Sequence, residues 1–251
     1  MNFESCEISN EYQLWQSGKE IKKYVGYCNI CGADIDTWNY CGKDAKTKYA
    51  IIGNGKRVGL CPYCQSFDRG RWFYFVLKNF TSIFENGGEI LHFAPEKQVE
   101  RHLRKIEHCS YNTADIIESI ADYVIDMTNM PFENEKFDYI IANHVLEHIE
   151  DETAAISELK RCIKKNGKII LSFPVTMEVN TFELHNLTQD ERIYYYGQDD
   201  HVRLYGRDFK EHLQNYGLRV DVYSPEELLS KKLTEKLKII SNDKLFICSC
   251  C

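Results

Sequence analysis

Two pairs of cysteines have the spacing of a metal site. Cys28 and Cys31 form one Cys-x-x-Cys pair, and Cys61 and Cys64 form a second pair after a gap of 29 residues. Each pair can direct two thiolates to one point, and four thiolates suit a tetrahedral zinc ion. A thioredoxin-like redox role fits less well, because neither pair follows a strand and opens a helix. We therefore predict that these four cysteines bind a structural Zn²⁺, against the alternative of two unrelated turns that carry reduced thiols.

The remaining cysteines carry weaker signals. Cys41 lies between the two pairs and is either a spare thiol or an alternative ligand, whereas Cys109 and Cys162 suit core positions. The cysteine-rich tail at residues 248–251 could bind a metal, but a strand end followed by a frayed terminus explains it as well.

Composition and charge are those of an ordinary globular protein of 251 residues, 43% hydrophobic and 27% charged. The formal net charge of −7 disfavours nucleic acid as a partner, since nucleic-acid-binding domains usually present a basic face. The N-terminus is unlike a secretory signal, and no apolar run approaches the roughly 18 residues of a membrane span. We therefore expect a cytoplasmic protein with reduced thiols and no membrane contact.

Strands and helices alternate after Gly87 and Gly88. Strands are predicted at residues 89–94, 110–114, 123–126, 137–142, 168–173, 218–223 and 244–248, and helices at residues 68–80, 97–107, 152–165 and 207–216. Asn166-Gly167 is predicted to end the third of these helices, and Asn54-Gly55 to turn a hairpin within residues 51–58. This alternation is typical of a mostly parallel sheet covered by helices on both faces.

Ligands of open α/β sheets bind at the carboxyl ends of the strands, where the strand order reverses. The candidates there are His92, Phe93, Ala94, Pro95 and Glu96 at the first strand, Asp115 after the second, Asp126 and Met127 after the third, and Asn143 and His144 after the fourth. An acid after the second strand can accept hydrogen bonds from ribose hydroxyls, and an acid after the third can accept from an adenine amino group. Each acid alone is a weak signal, because aspartate is also common at strand ends as a helix cap.

The segment from Met127 to Asp151 resembles the class I S-adenosylmethionine-dependent methyltransferases. It reads MTNMPF and then KFDYIIANHVLEHIED, and the family's next helix and fifth strand are matched by ELKR at residues 158–161 and KNGKIIL at residues 165–171. A narrower subgroup is similar from the cysteine pairs through HFAPE at residues 92–96 to DDHVRLYG at residues 199–206, so the resemblance covers roughly residues 28–248. It implies an α/β Rossmann-like sheet of seven strands, mostly parallel with the last strand antiparallel, behind a small N-terminal zinc ribbon. It also implies S-adenosylmethionine as the cofactor.

One turn departs from the wider family. Most members carry a glycine-rich turn after the first strand, where bare backbone approaches the cofactor, and here Ala94-Pro95-Glu96 stands in its place. The narrower subgroup shares this variation, so cofactor binding is still expected, while the pose of the cofactor's amino-acid end stays open. HVLEH at residues 144–148 also matches the H-x-x-E-H pattern of inverted zinc proteases, but it directly follows a buried strand, where the methyltransferase pattern has it.

The long connection after the fifth strand is dense in ionisable residues, and in this fold it usually covers the substrate. Methyl transfer to a hydroxyl is helped by a general base, for which histidine is the commonest choice near neutral pH. The two candidate bases are His201, in this connection, and His144, beside the expected cofactor site. The predicted substrate contacts are Thr181, Glu183, Arg203 and Tyr205. Arg203 could grip a phosphate or carboxylate, or it could pair with Asp200 in a salt bridge that pins the loop.

These observations divide the chain into an N-terminal extension at residues 1–27, a zinc-ribbon-like module at 28–64, a connecting helix at 65–86 and a methyltransferase domain at 87–251. The predicted function is methylation of a polar small molecule, with a hydroxyl of a sugar or nucleotide-linked sugar as the expected acceptor. Two alternatives stay open. One is an adaptor whose zinc ribbon binds a partner while the α/β domain is a non-catalytic scaffold, and the other is a methyltransferase of RNA or protein. The oligomeric state does not follow from the sequence.

Overall fold

The structure is a computed structural model that describes residues 25–118 and 121–250. Most of the predicted N-terminal extension and Cys251 lie outside the described residues. Within the described ranges, no helix combines the length and the apolar character needed to cross a membrane.

Two small antiparallel ladders form the part of the chain that carries the cysteine pairs. Strand β1 (Gly26–Tyr27) pairs with β2 (Asp34–Ile35), and β3 (Asn39–Cys41) pairs with β4 (Arg57–Leu60). The predicted hairpin within residues 51–58 is wrong, because Ile51 bridges to Thr176 in the α/β part and β4 pairs with β3. The segment between the cysteine pairs therefore rests against the long connection of the α/β part.

The α/β part is built on one seven-stranded sheet. Its first half contains helices α1 (Asp68–Phe80) and α2 (Ile83–Asn86), strand β5 (Gly88–Phe93), helix α3 (Lys97–Leu103), and strands β6 (Cys109–Asp115), β7 (Tyr123–Val124) and β8 (Phe137–Asn143). A 3-10 turn (Leu146–His148) follows β8 and leads to helix α4 (Glu152–Cys162) and strand β9 (Ile163–Ser172).

The second half contains the long connection and the antiparallel end of the sheet. Its elements are strand β10 (Phe182–Glu183), helix α5 (Gln189–Tyr196), strand β11 (Arg203–Leu204), helix α6 (Phe209–Gln214), strand β12 (Leu218–Tyr223), helices α7 (Pro225–Leu228) and α8 (Lys231–Leu237), and strand β13 (Leu245–Cys250). Strands β10 and β11 pair with each other outside the main sheet.

The strand order is β12-β13-β9-β8-β5-β6-β7. Strands β9, β8, β5, β6 and β7 run parallel to one another, and β13 runs antiparallel to both β9 and β12. This confirms the predicted fold class, a mostly parallel seven-stranded sheet with an antiparallel last strand.

Several predicted boundaries differ from the structure. The helices predicted at residues 97–107 and 207–216 cover Lys97–Leu103 and Phe209–Gln214 only, and the strand predicted at 123–126 ends at Val124.

One further difference changes an interpretation. Helix α4 ends at Cys162 rather than Lys165, and Asn166 and Gly167 lie within β9 instead of stopping a helix. A Cβ atom at Gly167 would come within 2.9 Å of the carbonyl oxygen of Asp138. Gly167 is therefore needed for the close approach of two strands, which the helix-stop interpretation overlooked.

Side-chain alternation along the central strands divides the core between the two faces of the sheet. On β8, Ile140 and Ala142 pack into one cluster with α4 and α6, whereas Tyr139 and Ile141 pack into the other. This follows from the period of two in a β-strand. The second cluster also takes in apolar residues of α1 and of the cysteine module, including Trp38. The module therefore shares its core with one face of the sheet.

Candidate functional site

The two Cys-x-x-Cys turns have the same backbone hydrogen bonds. The amide of Cys28 donates to the carbonyl of Ala33, and the amide of Gly32 donates back to the carbonyl of Cys28. In the second turn, Cys61 and Gln65 repeat both bonds with Ser66 as the partner of Cys61. The residue after each second cysteine is in the left-handed region, with φ of 74° at Gly32 and 63° at Gln65. Each turn thus directs its two thiols to one side.

The four sulfur atoms have the separations of a tetrahedral metal site. Cys28 Sγ lies 3.7 Å from Cys64 Sγ, and Cys31 Sγ lies 3.8 Å from Cys61 Sγ. All four sulfurs lie within 4.8 Å of one another. Bonds of about 2.3 Å from zinc to each sulfur place tetrahedral ligands about 3.8 Å apart. A disulfide would need about 2.05 Å. The residues present therefore fit a zinc ion.

The environment of the sulfurs supports the same interpretation. The Ser66 hydroxyl lies 3.4 Å from Cys28 Sγ and 3.2 Å from Cys64 Sγ. The contact between Cys28 and Cys64 lowers the pKa of Cys28 and raises the pKa of Cys64, so without a metal one sulfur of this pair is a thiolate and the other keeps its proton. Cys41 is buried but does not belong to the group of four. It is not brought to the site as an alternative ligand.

In the α/β part, the strand order reverses between β5 and β8, and the predicted cofactor residues gather at the carboxyl ends of these strands and their neighbours. They fall into two sets. The buried ones are His92, Phe93, Met127 and Asn143, and the ones that reach the surface at least in part are Ala94, Pro95, Glu96, Asp115, Asp126 and His144.

A chain of hydrogen bonds crosses the point of reversal. His92 Nε2 lies 3.0 Å from Glu96 Oε2, and Asn143 Nδ2 donates to Glu96 Oε1 at 3.2 Å. The chain continues from His92 Nδ1 to the Tyr111 hydroxyl at 2.9 Å, and from the Ser172 hydroxyl to Asn143 Oδ1 at 3.1 Å. Burial raises the pKa of Glu96, but the hydrogen bond and charge of His92, together with a backbone hydrogen bond and the charge of Arg69, outweigh it, so the pKa lies below its usual value. Glu96 is therefore an anion held at the strand ends.

Two residues beside this series of hydrogen bonds have left-handed backbone conformations. Ala94 has φ of 44°, and its amide donates to the carbonyl of Ala114. His144 has φ of 55°, and its amide donates to the carbonyl of Ser172. A non-glycine residue in this region carries local strain, which is typical of functional turns.

The two predicted acids differ in their surroundings. Asp126 Oδ1 accepts hydrogen bonds from the amide and the hydroxyl of Thr128, which is the arrangement of a turn cap. Asp115 Oδ1 accepts only from the amide of Ile117 among the described residues, which leaves Oδ2 for a ligand. Ile116 and Ile117 beside it are 72% and 56% exposed. An acid next to exposed apolar side chains suits a nucleoside.

The predicted substrate residues are held in a structural network instead of facing open space. Arg203 is 1% exposed, donates to Glu183 Oε1 at 2.7 Å and also reaches the carbonyl of Ile149 at 2.6 Å. Tyr205 is fully buried, and its hydroxyl donates to Glu152 Oε1 at 2.5 Å. These contacts argue against a direct role for Arg203 and Tyr205 in substrate binding.

The other two predicted substrate residues belong to the same network. The amide and hydroxyl of Thr181 both donate to Asp208 Oδ1, and Glu183 is the partner of Arg203. The alternative salt bridge between Asp200 and Arg203 is wrong, because Asp200 Oδ2 lies 3.2 Å from His148 Nδ1 instead. Arg203 does hold the long connection in place, but its partners are Glu183 and backbone carbonyls instead of Asp200.

A cleft lies between the strand ends, the segment after the first cysteine pair and the long connection. Its lining includes Asn54 from the cysteine part, His144 from the sheet, and Gln198 and His201 from the connection. His144 and His201 are thus brought to one cleft, although the buried ring of His201 has only 1% exposure. Burial lowers the pKa of both histidines, which keeps them neutral near pH 7.

Two residues of the cleft were not predicted. Arg69 from α1 and Asp243 from the turn before β13 both line it. Burial raises the pKa of Asp243 to about 7, and the negative charge of Asp68 adds to the effect. The sequence contained no signal for Asp243, since it lies in an unremarkable loop and enters the cleft only through the antiparallel end of the sheet.

Residues 90–171 match the family model described as a methyltransferase domain. The matched segment runs from β5 to β9 and contains the point where the strand order reverses. Over these residues, the α/β part of the chain is therefore similar to a methyltransferase domain. The match covers five of the seven strands of the sheet.

Two solved structures are similar to this chain at low sequence identity. The fold of this chain is similar to that of the cyclase SpnF, with a TM-score of 0.51, 13% identity, and coverage of 83% of this chain and 87% of that one. A S-adenosylmethionine-dependent methyltransferase from Archaeoglobus fulgidus is similar with a TM-score of 0.46, 16% identity, and coverage of 70% and 92%.

A curated relative matches only a short segment. An uncharacterized protein of Methanocaldococcus jannaschii is 44% identical over 43 residues, which is 17% of this chain and 21% of that protein. The chain thus matches about a fifth of that relative's length.

Proposed function

We propose that the methyltransferase transfers the methyl group of S-adenosylmethionine to a hydroxyl of a polar small molecule, such as a sugar or a nucleotide-linked sugar. The observation that carries the proposal is the position of His144. It lies in a polar cleft at the point where the strand order reverses, and its Nδ1 lies 3.2 Å from the Glu147 carboxylate.

The carboxyl ends of β5 and β6 offer contacts for both ends of the cofactor. Asp115 Oδ2 would accept from a ribose hydroxyl, and Ile116 and Ile117 would cover the adenine. At the other end, the anionic Glu96 would accept from the ammonium group of the methionine portion. The zinc ion would be structural, since the four cysteines fix the segment that forms one wall of the cleft.

His144 is the base in this proposal. A hydrogen bond to the carboxylate of Glu147 places the ring proton on Nδ1 and leaves the lone pair of Nε2 for the acceptor hydroxyl. Burial holds the pKa of His144 below its usual value, so the ring is neutral and able to take a proton at pH 7. His201 has its Nδ1 on the carbonyl oxygen of Tyr196 and is more deeply buried, which favours His144 as the base.

The first test is calorimetric titration of the zinc-loaded protein with S-adenosylmethionine and S-adenosylhomocysteine. We expect micromolar binding that weakens at least tenfold, or about 1.4 kcal/mol, in Asp115→Ala. The exposed Asp36→Ala is the matched control and should bind like the wild type. Binding of neither ligand contradicts the proposal.

The second test is an acceptor screen that begins with sugars and nucleotide-linked sugars and includes amines. His144→Gln should lower kcat by 10²-fold or more and leave cofactor affinity unchanged, because a base acts only on the acceptor proton. Methylation of amines and of no hydroxyl would contradict O-methylation.

One observation favours a second function, a non-catalytic scaffold that works through the cysteine module. Glu96 and Ala94 replace the open glycine turn, and the amide of Ala94 is already bonded to Ala114. Absence of cofactor binding in the first test would support this function. Arg57 weighs against docking of RNA on the module, because its guanidinium is paired with Asp68 at 2.5 and 2.8 Å.

A further inference from the structure

Three side chains with metal-ligand atoms converge beside the cleft, apart from the proposed cofactor contacts. Glu147 and His148 come from the 3-10 turn after β8, and His201 comes from the long connection. Their ligand atoms lie within 4.8 Å of one another. Glu147 and His201 are each 1% exposed, whereas the side chain of His148 is 34% exposed. The group is therefore buried on one side and open on the other.

Two atoms of this group are buried and without a hydrogen-bond partner among the described residues. They are Glu147 Oε2 and His201 Nε2. An unsatisfied buried polar atom costs roughly 1–3 kcal/mol, so two in one place call for an explanation. A bound cation would satisfy both of them at once.

The other polar atoms of the same side chains are already fixed. His201 Nδ1 lies 3.2 Å from the carbonyl oxygen of Tyr196, so Nδ1 carries the proton and Nε2 carries the lone pair. Glu147 Oε1 lies 3.2 Å from His144 Nδ1. Ligands of metal sites are typically oriented in this way by a second hydrogen bond.

The backbone that carries the ligands is held in place before any cation arrives. The amide of Val202 donates to the carbonyl of Glu147 at 2.8 Å, which joins the 3-10 turn to the long connection. Arg203 donates to the carbonyls of Leu146 and Ile149 on either side of the turn. The buried arginine therefore has a role, which is to fix Glu147 and His201 relative to each other.

We propose that Glu147, His148 and His201 bind a first-row divalent cation. Two imidazoles and one carboxylate suit Mn²⁺, Fe²⁺, Co²⁺ or Zn²⁺, whereas Mg²⁺ and Ca²⁺ prefer sites built of oxygen alone. Three protein ligands leave coordination positions open for water or substrate. The cluster is open to solvent at His148, where Asp200 Oδ2 is 3.2 Å from His148 Nδ1.

The cation would bind the oxygen of the methyl acceptor, a role that rests on the proposed function. The cation would lower the pKa of a hydroxyl held there, and His144, which is hydrogen-bonded to Glu147, would take its proton. The oxygen would form a bond to the methyl carbon as the bond from that carbon to the sulfonium sulfur breaks, with the electron pair staying on sulfur. The preferred acceptor is thus a molecule with a metal-binding hydroxyl, such as one of two neighbouring hydroxyls of a sugar.

The test is titration of the full-length, zinc-loaded protein with Mn²⁺, followed by electron paramagnetic resonance, with Co²⁺ titrated in parallel. Mn²⁺ prefers oxygen and nitrogen ligands, so it will not displace zinc from the four thiolates. We expect one equivalent to bind, with affinity at least tenfold weaker in His148→Ala and in Glu147→Gln. His185→Ala, a change of an exposed histidine in the same connection, is the control and should bind like the wild type.

Binding of neither Mn²⁺ nor Co²⁺ to the wild type, or equal binding by His148→Ala, would overturn the proposal. His148 is partly exposed, so its variant should fold even if Glu147→Gln does not, and the melting temperature checks this. S-adenosylmethionine binding is measured on the same samples. Cofactor binding without the cation leaves the methyltransferase proposal standing, and cation binding without the cofactor contradicts that proposal alone.

Discussion

The cysteine site and the Glu147–His148–His201 cluster both gather metal-ligand atoms, but they are built differently. The cysteine site consists of two short turns, each with its own internal hydrogen bonds between the first cysteine and residues four and five positions later. The cluster joins a turn to a residue more than 50 positions further along, and a single backbone bond from Val202 to Glu147 links the two.

A buried arginine supports each site. Arg71 is fully buried and donates to the carbonyls of Gly59, Ser66, Leu237 and Lys238, which fastens the second cysteine turn to the end of α8. Arg203 fastens the 3-10 turn in the same manner. Each cysteine turn thus has hydrogen bonds of its own that set its shape. The position of both sites in the fold depends on long-range contacts of a buried arginine.

The largest change in stability is expected from a variant that cannot hold the predicted zinc ion at the cysteine site. Cys61→Ser should lower the free energy of unfolding by several kcal/mol, because structural zinc supplies about 10–16 kcal/mol of apparent binding free energy in zinc-finger peptides. Urea unfolding and zinc content by mass spectrometry measure the effect. Cys109→Ser is the matched control and should keep its zinc. A Cys61→Ser protein of wild-type stability would show that the module folds without metal.

The next effect concerns the arginine that anchors the module. Arg71→Leu should lower the free energy of unfolding by about 3–5 kcal/mol, because four backbone carbonyls lose their buried donor. The guanidinium also stacks on the Trp38 ring at 4.2 Å, which lysine would not reproduce in Arg71→Lys. Urea unfolding of both variants, with exposed Arg101→Leu as the control, checks this. A loss below 1 kcal/mol in Arg71→Leu would contradict the anchoring role.

A smaller effect is expected beside the other arginine, at Glu152. This carboxylate accepts from Tyr205, from His212 Nε2 at 2.7 Å and from Tyr216 at 3.0 Å. Glu152→Gln should cost about 1.5–3 kcal/mol at pH 7, the range for hydrogen bonds to charged groups. Burial raises the pKa of Glu152, but the bond from His212 and the other donors outweigh it and hold the pKa below its usual 4.5.

The pH dependence of this effect has a definite sign. Because the folded pKa is lowered, the carboxylate stabilises the fold fully above pH 4.5 and loses this contribution as the pH falls through the folded pKa. The melting temperatures of the wild type and Glu152→Gln should therefore converge in acid. A difference that stays constant from pH 7 to pH 3 would contradict the assignment.

The contrast between the two sites explains what the sequence could predict. The grouping of the four cysteines and the mostly parallel sheet were predictable, because spacing within four residues and the alternation of strands and helices are local patterns. The antiparallel last strand was expected from the family resemblance alone. The hairpin at Asn54-Gly55 was not, because Ile51 pairs with Thr176 across more than 100 residues. Sequence reasoning found His144 at a strand end, but it took Arg203 for a substrate contact, since the carbonyls that surround a buried guanidinium have no sequence signature.

The cluster ligands show the same limit. His148 and Glu147 were noticed within the H-x-x-E-H pattern, and His201 was noticed as a base, yet nothing in the sequence joined them. Asp243 gave no signal at all. A pKa of about 7 arises only when the fold buries the carboxyl near Asp68.

Asp243 therefore offers a test in which stability depends on pH in the direction opposite to that expected for Glu152. Its folded pKa of about 7 lies above the usual 3.8, so the fold loses stability as the pH rises between these values and keeps the full penalty above pH 7. The arginines Arg57 and Arg69 limit the penalty. Asp243→Asn should raise stability at pH 8 by about 1–2 kcal/mol after screening, and by little at pH 4. Thermal unfolding across this range measures it, and equal pH profiles would contradict a raised pKa.

The smallest change in the free energy of unfolding is expected from variants that compare the two cysteine turns. Both turns need a left-handed residue after the second cysteine, and one uses Gly32 where the other uses Gln65. A left-handed conformation costs an L-residue roughly 1–2 kcal/mol, part of which the lower chain entropy of a non-glycine residue offsets. Gln65→Gly should therefore gain about 0.5–1 kcal/mol, and Gly32→Ala should lose a similar amount.

Sterics do not confound this pair of variants. A Cβ atom at Gly32 would meet nothing closer than the Tyr27 hydroxyl at 3.9 Å, so only backbone strain is introduced. Gln65 has one side-chain bond to lose, from its Nε2 to the carbonyl of Pro62 at 3.1 Å. This bond is exposed and so contributes little. Urea unfolding of the two zinc-loaded variants should give changes of opposite sign. Changes of the same sign would mean that the two turns, despite their matching hydrogen bonds, do not make equal demands on the backbone.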